Sequence, residues 1–136
     1  MTLSFKNFAL AVADLPMMTA FYVGLGFEVA ERGRFDAVDA DFVMLDGAGI
    51  RLELVCRAGT RPVPVDRTPP PAHLDVLGWK ALVLQSSDLA ADTQKLIASG
   101  TEIVWADVQI SAGYKSTMIR DPEGNMINIF ASETAS

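Results

Sequence analysis

Glu53 sits in the run Leu52-Glu53-Leu54, a carboxylate between two aliphatic side chains. Strand alternation turns it away from both neighbours and toward a second, partly apolar face. A carboxylate placed there can hold a cationic part of a ligand, act as a general base or donate to a metal ion. The same placement also fits a structural salt bridge with Arg51, Lys80 or another cation, or a solvated rim. Asn7 and Asn128 put amides on the matching faces of their own segments, where they read either as ligand contacts or as partners of water and neighbouring backbone. Cys56 is the only cysteine and His73 the only histidine. His73 lies in a proline-rich segment and reads as a linker residue, so Cys56 lacks a base and reads as a small buried hydrophobe. A single cysteine excludes an internal disulfide and agrees with a reducing cytoplasm.

The chain has 136 residues, half of them hydrophobic, enough for one domain with a real core. A net charge of -6 argues against a nucleic-acid or anionic-membrane surface and favours a neutral or cationic small partner. The apolar run from Phe8 to Ala13 is too short to span a bilayer, lacks a basic leader and stops at Asp14.

Two similar halves must position these residues. Asn7-Phe8-Ala9-Leu10-Ala11-Val12-Ala13-Asp14-Leu15 answers Ala81-Leu82-Val83-Leu84-Gln85-Ser86-Ser87-Asp88-Leu89, each a strand ending in Asp-Leu. Asp14 and Asp88 stand where a helix N-cap belongs, and Gly26 and Gly100 close the two helices at the same distance from those caps. Apolar stripes are expected from Phe21, Tyr22 and Leu25 on the first helix and from Leu89, Leu96 and Ile97 on the second. Strands are predicted at 27–31, 41–45 and 50–56, then at 102–108, 115–120 and 126–130, with Asp46-Gly47-Ala48-Gly49 as a hairpin turn. Prolines in Arg61-Pro62-Val63-Pro64-Val65 and Pro69-Pro70-Pro71 bar a helix or central strand between the halves. The organisation read from this is a single domain, 1–136, with a first βαβββ module at 3–56, a proline-rich linker at 57–75 and a second module at 76–132.

Alternation assigns Phe8, Leu10, Val12, Leu52, Leu54, Leu82, Leu84, Ile127 and Ile129 to the faces under the helices. Asn7, Ala9, Arg51, Glu53, Trp79, Ala81, Val83, Met126 and Asn128 then face the other way. Trp79, Trp105, Tyr114, Phe42 and Met118 are the aromatic and polarizable candidates for walls of a pocket on that side, though each alone also fits a core or rim position. The segment Arg120-Asp121-Pro122-Glu123-Gly124-Asn125 reads as a turn that sets the register of the last strand.

Asn7 to Leu15 with Phe21-Tyr22 and Leu25-Gly26-Phe27, Leu52-Glu53-Leu54, Gly113-Tyr114-Lys115 and the Arg120 to Asn125 turn together resemble the vicinal oxygen chelate superfamily of glyoxalases, extradiol dioxygenases and bleomycin-resistance-type proteins. The resemblance covers nearly the whole chain. It implies an α+β fold of two tandem βαβββ modules forming a curled mixed sheet around a cleft, and a homodimer. It also implies that metal-dependent members hold a divalent ion at the positions of Asn7, Glu53, Ala81 (Lys80 if the fifth strand is shifted by one) and Asn128. Only Glu53 is a good donor in that set, since alanine donates nothing and a lysine ammonium repels a cation. The expectation is therefore a cytoplasmic protein with no metal cofactor that binds a small aromatic or cationic organic molecule, as a sequestering or resistance protein does. Two alternatives stay open. One is a metal-dependent lyase, isomerase or dioxygenase with ligands from Asp36, Asp39 or His73; the other is a metal-free enzyme with Glu53 as its catalytic general base.

Overall fold

The computed structural model describes residues 1–59 and 61–132. They fall into two compact units that divide between Pro64 and Val65. The first unit runs through β1 (Phe8–Ala11), α1 (Leu15–Gly24), β2 (Glu28–Phe35), β3 (Ala40–Gly47) and β4 (Ile50–Arg57). The second runs through β5 (Ala81–Ser86), α2 (Leu89–Ala98), β6 (Glu102–Ser111), β7 (Tyr114–Arg120) and β8 (Met126–Ala131). Each is a βαβββ module on a four-stranded mixed sheet, with strand orders β1-β4-β3-β2 and β5-β8-β7-β6. The first strand of each module pairs in parallel with the last, and the other pairings are antiparallel.

The repeated caps form as their spacing predicts. Asp14 Oδ1 accepts from the Met17 backbone N–H at 3.0 Å, and Asp88 Oδ1 from that of Ala91 at 3.1 Å. Gly26 and Gly100 take the left-handed conformation just past the two helix ends. The helices cover the expected aliphatic faces: Val43, Leu45, Leu52 and Leu54 are buried in the first unit, and Ile119, Ile127 and Ile129 in the second. Each such side chain contributes about 1.5–3 kcal/mol on burial.

Three expectations need correction. On α2 the buried side is Leu89, Thr93 and Leu96, while Ile97 is 46% exposed. Thr93 lies one turn after Leu89 on the same side, whereas Ile97 is rotated off it by about 100° from Leu96. Thr93 is tolerated in the core because its hydroxyl lies 2.6 Å from that of Thr117 in β7. Phe8, expected under α1, is 40% exposed, because β1 is the edge of its sheet. The strands also run longer than the alternation suggested; β2 continues through Arg32 and Arg34, all of its residues exposed, because it too is an edge. The second part of the proline-rich stretch belongs to the second unit, where Arg67 reaches Glu102 at 2.6 Å.

Candidate functional site

In the first unit, register puts Ala9 opposite Glu53 and Met44 opposite Glu53 from the other side. Asn7, two residues before Ala9, therefore shares the face of Glu53, and its Nδ2 donates to Glu53 Oε1 at 3.1 Å. This bond was not foreseen, although the assignment of both residues to one face contains the signal for it. Arg51 is not the partner of Glu53. It forms a two-pronged contact with Asp46, 2.7 Å from Nε and 2.8 Å from Nη2, which lowers the Asp46 carboxyl below its ordinary range and raises the Arg51 guanidinium.

Phe42 shares the Glu53 face but is 8% exposed and lies under Phe35, ring stacked on ring at 4.4 Å. It reaches that position because its cross-strand partner is Gly33, where a Cβ would stand 2.5 Å from the Phe42 ring. Of this aromatic pair it is Phe35, not Phe42, that meets solvent.

In the second unit three expected residues converge. Trp105 pairs with Met118, Met118 with Asn128, and Asn128 with Val83, so the four side chains form one row across β6, β7, β8 and β5. The row lies on the face turned from α2, since Thr117, which meets Thr93, is adjacent to Met118 in the strand. Trp105 is held by its indole N–H, which donates to Ser116 Oγ at 2.8 Å. Just beyond it β6 bulges: Asp107 is left-handed, its N–H donates to Thr117 Oγ1 at 2.9 Å and its carboxylate lies 3.1 Å from Lys115 Nζ. Ser116 thus fixes Trp105 and Thr117 the bulge beside it, and neither stood out in the sequence. Tyr114 is 57% exposed and packs edge-on against Phe130, one rung along the same face. Trp79 departs from its expected place on that face. It precedes β5, beside Gly78 with its positive φ, and is 95% exposed.

The four positions expected for a metal do not suit one. In the first unit Asn7 turns its N–H, not its oxygen, toward Glu53, and in the second Ala81 has no donor beside the single amide of Asn128. Among the described residues no group of three or more histidines, cysteines, aspartates or glutamates is arranged to hold an ion. Asp36 and Asp39, considered as substitute ligands, both contact Arg34, whose cation satisfies them.

The alternation, the repeated caps and the turn before β8 agree with what comparison finds. A family model described as the Glyoxalase/Bleomycin resistance protein/Dioxygenase superfamily matches residues 4–129. Among curated proteins none matches significantly. Solved structures with the same fold include SMU.1112c, at 25% identity and TM-score 0.76 over 96% of this chain and 99% of that one. A glyoxalase family protein from Bacillus cereus aligns at 22% identity and TM-score 0.76 over 96% and 95%. The fosfomycin resistance protein FosX from Listeria monocytogenes aligns at 16% identity and TM-score 0.70 over 98% and 99%. With a family model spanning both modules, the chain belongs to the glyoxalase, bleomycin resistance protein and dioxygenase superfamily.

Proposed function

We propose that the protein binds a small aromatic or cationic organic molecule without a metal, in the manner of a sequestering or resistance protein. The observation that carries this reading is the Asn7–Glu53 hydrogen bond: Asn7 turns its N–H rather than its oxygen to Glu53, so Glu53 has no second oxygen donor beside it with which to share a metal ion. The pairing of Trp105 with Met118 sets an aromatic ring beside a polarizable thioether, which suits a planar ligand, and the charge of -6 favours a positive one. No helix among the described residues is long and apolar enough to cross a membrane. The lone Cys56 supports a cytoplasmic setting.

Elemental analysis of gently purified protein, paired with melting curves taken with and without a chelator, tests the proposal. Substoichiometric zinc, iron, nickel and manganese, and a melting temperature indifferent to the chelator, are expected. About one such ion per chain, with a melting temperature that falls on chelation, overturns the reading in favour of a metal enzyme.

A further inference from the structure

Asn128 Oδ1 is buried and has no hydrogen-bond partner among the described residues. An enclosed carbonyl without a donor costs stability, and native proteins rarely keep one without a use for it. Two donor residues of its sheet face, Trp105 and Arg120, are committed elsewhere. The Trp105 indole N–H goes to Ser116 Oγ. Arg120, one rung away opposite Met126, gives Nη1 to the Gly124 carbonyl at 2.7 Å and Nη2 to the Arg67 carbonyl at 3.4 Å, and its Nε lies 3.5 Å from Glu102. The remaining members of the row, Met118 and Val83, carry no hydrogen to donate.

We propose that Asn128 is the polar reading residue of a ligand site on the face of the second sheet turned from α2, and that its oxygen accepts from an N–H or O–H on a planar aromatic ligand lying along the row Trp105–Met118–Asn128–Val83. The inference rests on the metal-free reading above and deepens it by naming the ligand class: a flat ring that carries a donor. Trp105, fixed through Ser116 and the β6 bulge, supplies a rigid face for stacking. Val83, 60% exposed, leaves the β5 end of the row open. The oxygen is enclosed in the free protein, so admission of the ligand requires its cross-strand neighbour Met118 to give way, and an unbranched thioether chain is well suited to that. Pairing on binding then removes a deficit present in the free protein, so a ligand with the donor gains over one without it.

Indole and 1-methylindole differ at the donor and serve as probes. Nuclear magnetic resonance titrations follow the Asn128 side-chain amide and the Trp105 indole N–H in wild type and in Asn128→Leu. In wild type, indole is expected to bind about three- to tenfold more tightly than 1-methylindole, the worth of one net hydrogen bond, and to shift both resonances. In Asn128→Leu that preference should fall to about one, with a melting temperature no lower than that of wild type, because the unpaired carbonyl is gone. Equal affinities in wild type, an unmoved Asn128 amide, no binding of either probe, or a markedly less stable Asn128→Leu each overturn the assignment. The two readings fail separately. Equal binding of both probes at Trp105 removes Asn128 from recognition and leaves metal-free aromatic binding intact, whereas a stoichiometric metal removes that reading itself.

Discussion

Glu53 takes its hydrogen bond from an amide, and among the described residues no cation neutralises it. We propose that its charge serves a ligand, which gives a test at the level of one residue. Glu53→Gln keeps the shape and can still accept from Asn7, so stability should change by less than about 1 kcal/mol. Affinity for a cationic aromatic such as N-methylquinolinium should weaken by about 1.5–3 kcal/mol, the worth of a hydrogen bond or contact to a charged group, as read by calorimetry. A destabilised variant with unchanged affinity would make Glu53 a structural residue. The sequence placed Glu53, Asn7 and Asn128 on their faces because period-two alternation is local. It did not reveal the Asn7 partner, the stacking of Phe35 over Phe42, or the Ser116 anchor of Trp105. Those depend on register between strands distant in the chain.

Among the elements, the turn from Asp121 to Asn125 is the most tightly specified. Asp121 Oδ1 accepts from the backbone N–H of Glu123 at 3.0 Å and of Asn125 at 2.9 Å, and the Gly124 carbonyl is held by buried Arg120. Gly124 has φ +99, and a Cβ there would stand 2.6 Å from Arg67 Nη1. Gly124→Val should therefore lower stability by about 1–3 kcal/mol from backbone strain alone, and chemical denaturation will measure it. A variant that unfolds like wild type but no longer binds aromatic probes would assign the turn to the ligand rather than to the scaffold. The role of this segment as a turn was legible in its Asp, Pro and Gly. Its tie to the proline-rich stretch through Arg67 was not, because that contact joins residues more than fifty positions apart. The α2 stripe shows the opposite failure: counting apolar residues chose Ile97, and the buried hydroxyl pair of Thr93 and Thr117 claimed the position instead.

At the scale of the whole molecule, two modules of one topology were legible from a single repeated signature, Asp-Leu at a strand end and glycine a fixed distance later, because caps and helix stops are local chemistry. We propose that two chains associate, as the family resemblance implies. Each sheet of the monomer ends in strands that an association must either use or leave bare. In the first unit β2 is a poor candidate for backbone pairing: its four charges, Glu28, Glu31, Arg32 and Arg34, and the bulge between Val29 and Glu31 blunt it as an edge. The other edge, β1, is the short uncharged segment Phe8-Ala9-Leu10-Ala11. Sedimentation of wild type should give about 29 kDa, twice the 14.6 kDa of one chain, and Arg32→Glu on β2 should leave that mass unchanged. A mass of 14.6 kDa that persists as loading concentration rises would reject the dimer. A wild-type dimer that Arg32→Glu dissociates would instead place β2 in the interface, with its charges acting as partners across it rather than as guards.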